Sequence, residues 1–182
     1  VGWYRTEFSV PKGVNAELLF DGAMSEARVY VNGNEVCFWP YGYSPFHCDV
    51  TPYLNADGTN VLAVRLENLP SSSRWYPGAG LYRNVHLICT SPKAHIPVWG
   101  TFVTTPFVSE DLASVSLDIT VESDLDNVGI EYITDIFSPD GNKVASRRSV
   151  SLYHKGDKHI QKFSVDSPKL WSPEHPHLYK AL

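Results

Sequence analysis

A segment near the middle of the chain combines side chains that are suited to recognising a carbohydrate. The residues concerned are Arg74, Trp75, Tyr76, Arg83 and Asn84. Aromatic rings can stack on the apolar C–H face of a sugar, while guanidinium and amide groups can hydrogen-bond to its hydroxyls. We therefore predict that these five residues bind substrate. The alternative is that the segment only packs against a neighbouring part of the protein.

Glycines in the same segment favour a packed arrangement. Surface loops are usually built from small polar residues, whereas here Gly78 and Gly80 lie among large aromatic rings. Because glycine has no Cβ, it lets the backbone approach another group closely. We expect the segment to pack against the chain's own core, a partner surface or a ligand.

The histidines do not follow the spacing of a metal site. His47, Cys48 and Asp49 are consecutive. Adjacent residues of a strand point to opposite faces, so these three side chains cannot converge on one ion. His154 and His159 flank a turn sequence, and we expect both at the surface. We predict no metal ligands.

Composition restricts the class of partner. The 182 residues are 43% hydrophobic and 19% charged, which is typical of a globular protein. A net charge of −5 argues against binding to nucleic acid or to an anionic membrane surface. No apolar run approaches the roughly 20 residues that span a bilayer. We predict no nucleic-acid partner and no membrane partner.

The three cysteines lack the density of a disulfide scaffold. We expect Cys37, Cys48 and Cys89 to be small buried side chains, and we leave open whether Cys37 and Cys48 pair. The chain begins at Val1 with neither an initiator Met nor a signal peptide, which is typical of an excised piece. Its compartment stays open, with a periplasmic or secreted location favoured over a cytoplasmic one.

Alternation of apolar and polar residues predicts an all-β chain. Residues 28–31 and 34–36 flank Asn32-Gly33, a dipeptide typical of a tight hairpin turn. Thr51-Pro52 predicts one short helical turn, which residues 56–58 should end.

Repeated prolines between positions 90 and 97 interrupt the strand pattern and predict a domain boundary. We place the first domain at residues 1–93 and the second at residues 94–182. The second contains about seven short strand patterns, which favour an immunoglobulin-like sandwich.

Short motifs over nearly the whole chain occur together in a characteristic order. The most specific runs from Ser73 to Val85 and contains the aromatic segment. The others lie at residues 2–5, 20–23, 31–33, 42–46, 49–51, 99–106, 168–173 and 176–179. In order and spacing the set resembles glycoside hydrolase family 2, which contains β-galactosidases, β-glucuronidases and β-mannosidases.

The resemblance implies a fold for each half of the chain. Residues 1–93 would form a galactose-binding-like jelly-roll sandwich, N-terminally truncated, so that one sheet edge is exposed. Residues 94–182 would form an immunoglobulin-like β-sandwich. In the family, both catalytic glutamates belong to a (β/α)₈ barrel that follows this second domain. Residues 1–182 show no alternating strand–helix pattern, so we assign no catalytic residue to them.

The resemblance also implies a function. We expect a non-catalytic fragment of a retaining family 2 glycosidase, preferably a β-galactosidase, that needs no organic cofactor. The expected partners are the catalytic barrel of the same parent chain and a carbohydrate substrate; homo-oligomerisation of the parent is left open. In β-galactosidases of the family the position of Asn84 is often Asp and reaches the substrate. An amide can still hydrogen-bond a sugar, but it is a poorer ligand for an alkali ion.

Two alternatives belong to different functional classes. The chain could be a freestanding carbohydrate-binding module, which requires the Trp75 segment to be exposed to solvent and to bind sugar unaided. It could also be a cell-surface protein of stacked β-sandwiches. Neither alternative accounts for the ordered series of motifs.

Overall fold

The computed structural model describes residues 1–55 and 58–182. The predicted end of the helical turn at Ala56 and Asp57 lies outside the described residues. Apart from a 3₁₀ turn at Thr51–Tyr53, the regular structure of the described residues is β-strand, which confirms the predicted all-β class. The chain divides into two compact units, Val1–Pro92 and Lys93–Leu182.

The first unit is a sandwich of two antiparallel sheets. Its described strands are β1 (Gly2–Ser9), β2 (Asn15–Phe20), β3 (Ala27–Val31), β4 (Asn34–Trp39), β5 (Phe46–Asp49), β6 (Thr59–Leu66) and β7 (Val85–Thr90). The strand orders are β1-β6-β3-β4 and β5-β2-β7. Alternate residues of both sheets meet in one apolar core, as illustrated by Val29, Val64, Leu18 and Phe20.

The β3–β4 hairpin forms where the sequence predicts it. Asn32 and Gly33 have φ angles of 51° and 83°, the left-handed conformation that such a two-residue turn requires. The Asn32 amide also donates to the backbone oxygen of Tyr53 at 2.8 Å and accepts from the Val61 N–H at 2.9 Å. This side chain therefore joins the turn to the 3₁₀ turn and to β6.

One side of this sandwich is open. A groove of about 330 Å³ runs between β1 and β7, with the core residues Leu18, Leu62 and Val64 at its base. Val85 and Leu87 of β7 face this groove and are more than a third exposed. Strand β1 is an edge strand, and almost all of its residues are exposed.

The second unit is also a sandwich of two antiparallel sheets. Its described strands are β8 (Thr101–Val108), β9 (Leu112–Thr120), β10 (Val128–Phe137), β11 (Lys143–Tyr153), β12 (Lys158–Asp166) and β13 (Lys180–Ala181). The orders are β12-β9-β8 and β11-β10-β13. The described part of the unit thus has six strands where the sequence predicted about seven. Its core contains Leu117, Ile119, Tyr132 and Phe163.

His159 differs from its predicted surface position. Its ring is half-buried and stacks on Tyr132, with 3.8 Å between the ring centroids. Its two ring nitrogens lie 2.8 and 3.2 Å from the hydroxyl oxygens of Ser149 and Ser151. The stack against a core tyrosine explains the difference, because sequence spacing alone does not show that β10 packs beside this position. His154 is exposed, as expected.

The cysteines also depart in part from the sequence prediction. Cys48 is buried and Cys37 is partly buried, but Cys89 is exposed. Cys89 belongs to β7, an edge strand whose residues are largely exposed. Among the described residues, no helix has the length and hydropathy of a membrane span.

Candidate functional site

The aromatic segment connects β6 to β7, and backbone contacts hold its two ends against the first unit. Met24 and Gly80 exchange a pair of backbone hydrogen bonds, each 3.0 Å long. The Asn68 amide donates to the backbone oxygen of Pro77 at 3.2 Å. Residues 68–77, whose two ends the Asn68–Pro77 hydrogen bond joins, border a groove of about 550 Å³.

Close packing of the segment occurs at one of its two glycines. Gly80 has a φ of 118°, and a Cβ at this position would collide with the hydroxyl of Tyr4 on β1. A Cβ at Gly78 would meet no heavy atom within 4 Å. The predicted close approach therefore involves Gly80 and the chain's own first strand, while the part around Gly78 is open.

The aromatic side chains of the segment point away from the core. Trp75 is 60% exposed, and Tyr76 is fully exposed. The indole N–H of Trp75 donates to the Tyr43 hydroxyl at 2.8 Å, and the two rings are tilted with centroids 6.4 Å apart. Tyr43 in turn makes an edge-to-face contact with Tyr41, with centroids 5.7 Å apart. These four residues form an exposed set of rings, which we call the aromatic platform.

Tyr41 and Tyr43 are site residues that the sequence analysis did not select. They lie on the loop between β4 and β5, more than 30 residues before Trp75. The signal was available, because Tyr-Gly-Tyr between two prolines is as unusual for a loop as the Trp75 segment. Besides the Trp75–Tyr43 pair, Tyr82 also connects the two loops, because its hydroxyl donates to the backbone oxygen of Gly42 at 2.8 Å.

Polar side chains lie where the segment enters β7. Asn84 is exposed, and its backbone oxygen accepts from the Asp21 N–H at 3.0 Å. The Asp21 carboxylate lies 3.0 Å from Nε2 of His86. The Arg83 guanidinium is held over the Tyr82 ring, 5.3 Å from its centroid, and donates to the backbone oxygen of Asp21 at 3.4 Å. We call these residues the polar group.

The arrangement places the five sequence-predicted binding residues in two neighbouring parts of one loop. Trp75 and Tyr76 belong to the aromatic platform, whereas Arg83 and Asn84 belong to the polar group. Arg74 is exposed beside Trp75. Both the rings and the polar side chains are exposed on the same β6–β7 connection, and sugar recognition uses both kinds of side chain.

Three consecutive residues of β5, a histidine, a cysteine and an aspartate, point their side chains toward different partners. His47 lies 2.6 Å from the Glu17 carboxylate, Cys48 faces the core, and the Asp49 carboxylate accepts from the Thr51 N–H at 2.9 Å. Within the described ranges, no cluster of three or more His, Cys, Asp or Glu side chains is arranged to hold a metal ion.

Comparison with protein families assigns both units. Residues 1–92 match the family model described as the sugar binding domain of glycosyl hydrolases family 2. Residues 94–182 match the model described as glycosyl hydrolases family 2. The jelly-roll and immunoglobulin-like assignments, which rested on resemblance, agree with the two sandwiches observed and are confirmed.

Individual relatives agree with the family models. Beta-galactosidase BoGH2A of Bacteroides ovatus is 40% identical, over 98% of this chain and 22% of that protein. A putative β-glucuronidase of Formosa agariphila is 34% identical, over 100% of this chain and 17% of its own length. A crystal structure of a glycosyl hydrolase family 2 member from Bacteroides cellulosilyticus superposes with a TM-score of 0.87 at 33% identity. That match covers 98% of this chain and 24% of the other.

The chain thus spans less than a quarter of the length of each of these relatives. Matches to both family models, over nearly all residues and in the order that the motifs predicted, confirm the resemblance. This chain therefore belongs to glycosyl hydrolase family 2.

Proposed function

We propose that this chain is the non-catalytic sugar-binding part of a β-galactosidase. Its role would be to form one wall of the pocket that holds a terminal β-galactoside. The observation that carries the proposal is the exposure of Trp75 and Tyr76 on a stretch of the β6–β7 connection that is held by hydrogen bonds at Pro77 and Gly80, with the exposed Asn84 on the same connection. Exposing large rings to water is unfavourable, so a loop that fixes them outward is suited to contact with another surface or a ligand.

Each residue has a separate role in this proposal. Trp75, positioned by its hydrogen bond to Tyr43, would present a ring face to the sugar, and Tyr76 would extend that surface. Asn84 would exchange hydrogen bonds with a hydroxyl, since an amide both donates and accepts. Arg83 and Arg74 would donate to further oxygens. None of these groups performs acid–base chemistry.

Catalysis would come from a barrel in the same polypeptide. Hydrolysis of a glycoside with retention needs two carboxyl groups about 5–5.5 Å apart, one as nucleophile and one as acid. The carboxylates described in the site serve other contacts: Asp21 pairs with His86, and Glu17 pairs with His47. We propose that residues 1–93 and 94–182 act as two separate domains that support the barrel.

The choice of a galactoside is supported by the 40% identity to a β-galactosidase. A glucuronide is the competing substrate, because a relative at 34% identity is named a putative β-glucuronidase. Its carboxylate would also suit the guanidinium groups of Arg74 and Arg83. The two substrates differ at C6, so they provide a direct comparison.

The test uses the natural polypeptide that carries residues 1–182. We would measure kcat/KM for p-nitrophenyl β-galactoside and p-nitrophenyl β-glucuronide under identical conditions. A higher value for the galactoside is expected. A higher value for the glucuronide would overturn the galactosidase assignment, and turnover of neither would overturn both.

A second candidate function is a carbohydrate-binding module that acts without a barrel. The exposure of the aromatic platform favours it, because such a module needs accessible rings. Titration of the 182-residue chain with methyl β-galactoside, followed by Trp fluorescence and by NMR, tests this candidate. Saturable binding that Trp75→Ala abolishes would support it, whereas no binding at millimolar sugar would exclude it.

A further inference from the structure

Cys37 lies on the inner face of the first unit. It belongs to β4, which is the edge strand of the sheet ordered β1-β6-β3-β4. In the antiparallel register Cys37 lies opposite Val29, which is completely buried. Residues that are directly opposite in neighbouring strands share a face of the sheet, so the Cys37 side chain points toward the core.

Cys48 occupies the equivalent position in the facing sheet. It belongs to β5, the edge strand of the sheet ordered β5-β2-β7, and lies opposite the buried Leu18. The chain passes from β4 to β5 through the loop at residues 40–45, so the two edge strands are consecutive. Two inward-facing thiols therefore lie on edge strands of opposite sheets.

The two side chains belong to one packed cluster, because Cys37 packs against the buried core that includes Cys48. Two residues nearer the loop, Trp39 of β4 stacks on Phe46 of β5 with ring centroids 5.7 Å apart, so the two edge strands face each other at this point. A disulfide requires Cβ atoms about 3.5–4.5 Å apart, a separation that the two backbones set and that inward-facing residues of adjoining edge strands can provide. Rotation about χ1 of each cysteine would then bring the two sulfurs to bonding distance.

We propose that Cys37 and Cys48 form a reversible disulfide that joins the two sheets of the first unit at the base of the loop 40–45. The oxidant would be a small-molecule disulfide of the glutathione type. This inference is independent of the function proposed above, because it depends on the fold of residues 1–92 alone.

The exchange proceeds in two balanced steps. The Cys37 thiolate attacks one sulfur of oxidised glutathione, forming a mixed disulfide and releasing one glutathione thiolate. The Cys48 thiol then loses its proton to that thiolate and attacks the Cys37 sulfur, which releases the second glutathione. Two protein thiols are oxidised and one glutathione disulfide is reduced to two thiols.

The environment of the two sulfurs fits this order of events. The hydrogen bond from Cys48 lowers the pKa of the Cys37 thiol, although burial opposes this effect. The same contact, together with burial, raises the pKa of Cys48. Cys37 is also the more accessible of the pair. It is therefore suited to attack first. Cys48 resolves the mixed disulfide through its proximity to the Cys37 sulfur, after the released glutathione thiolate has taken its proton, because its raised pKa keeps it a thiol until then.

Formation of this disulfide would restrict the motion of the aromatic platform. Tyr41 and Tyr43 lie within the loop that the disulfide closes, and Tyr43 is the acceptor for the Trp75 indole. A cross-link that limits the excursions of the loop would hold the Tyr43 hydroxyl in place for Trp75. The redox state of two inward-facing cysteines would thus control the order of an exposed surface.

The test uses the 182-residue chain carrying Cys89→Ser, which removes the exposed thiol as a site of adduct formation. After incubation with oxidised glutathione, the intact mass should fall by two hydrogen atoms and carry no glutathione. Peptide mapping should then find residue 37 linked to residue 48. The melting temperature should rise by roughly 5 °C or more and return to its starting value on reduction.

Two variants provide the controls in the same background. Cys37→Ala and Cys48→Ala should each lose the mass change and the rise in melting temperature, with folding of each checked by circular dichroism. Persistence of both thiols, a stable glutathione adduct on Cys37, or a disulfide-linked dimer in the parent background would each overturn the proposal. A disulfide that forms without raising the melting temperature would overturn its constraining role.

Discussion

The Trp75 indole N–H donates to the Tyr43 hydroxyl at 2.8 Å, which joins the β4–β5 loop to the β6–β7 loop, both of which cross from one sheet of the first unit to the other. Both rings are largely exposed, so their relative position depends on this contact more than on burial. The hydrogen bond explains how a large aromatic side chain at the surface can have a defined orientation. It also provides a pair whose contribution can be measured.

A double-mutant cycle of Trp75→Phe and Tyr43→Phe measures that contribution. Each replacement removes one half of the hydrogen bond and keeps an aromatic ring, so each should lower the free energy of unfolding by about 0.5–1 kcal/mol. The double variant should lose no more than either single variant. Urea denaturation provides the measurement, and Tyr76→Phe, at a fully exposed ring, is the control without effect. Additive losses would contradict the pairing.

Gly80→Ala should destabilise the first unit more than Gly78→Ala. At Gly80 the φ of 118° is unfavourable for alanine, and the new Cβ would collide with the Tyr4 hydroxyl. We expect a loss of about 1–3 kcal/mol for Gly80→Ala. At Gly78 the Cβ meets no atom within 4 Å, and the change should be under about 0.5 kcal/mol. Equal losses in chemical denaturation would contradict this account of the anchor.

Asn84→Ala should impair the enzyme without destabilising it. Asn84 is exposed, and its structural contact is made by its backbone oxygen, which alanine retains. In the natural polypeptide, loss of one hydrogen bond between neutral groups should lower kcat/KM about two- to tenfold, while the melting temperature stays unchanged. Asn34→Ala, an exposed amide in the β3–β4 turn, is the matched control. Normal kinetics with a lowered melting temperature would make Asn84 a structural residue.

The isolated 182-residue chain should hydrolyse no glycoside. The carboxylates of its candidate site are engaged with histidines or backbone amides, and none is placed as the nucleophile and acid of a retaining mechanism. The assay is release of nitrophenol from p-nitrophenyl β-galactoside by protein purified from a host that lacks β-galactosidase. Turnover that co-purifies with the chain through two different columns would refute the prediction.

Stability should fall as the pH is lowered through the titration of His159. Burial, and to a lesser extent the charge of Arg147, lower the pKa of His159 below its usual value of 6.5. Below about pH 6.5 the unfolded chain therefore binds a proton that the folded chain does not. The stabilisation is complete above that pH and decreases toward the lower folded pKa.

His159→Gln tests this dependence, because glutamine does not titrate. The melting temperature of the parent chain should fall between pH 7.5 and pH 5.5 by more than that of the variant. If the melting temperatures of the parent chain and of His159→Gln fall equally over this pH range, His159 is not the cause of the pH dependence.

Sequence reasoning succeeded where structure depends on nearby residues. The Asn32-Gly33 turn needs left-handed backbone angles, which those residue types supply, and the hairpin forms there. It failed where the environment comes from distant strands. The stack of His159 on Tyr132 joins β12 to β10, and Cys89 is exposed on β7, which the sheet order places at an edge.

The candidate site shows the same division. The composition of residues 74–84 indicated a binding loop, because large rings in a loop are unusual in any context. The partners Tyr41 and Tyr43 were missed, since their loop is joined to Trp75 only through the folded sandwich. Residue type can thus identify a site, but the set of residues that completes it depends on topology.

The anchoring of the aromatic loop has a consequence for how such proteins can diversify. One anchor is the hydrogen bond from Asn68 to Pro77, and the second is the pair of backbone hydrogen bonds between Met24 and Gly80. The residues between Asn68 and Pro77 are enclosed by the first anchor, and most of their side chains face solvent. Insertions, deletions and substitutions among them leave both anchors in place, so new specificities can arise by exchange of this short stretch while the scaffold is inherited intact.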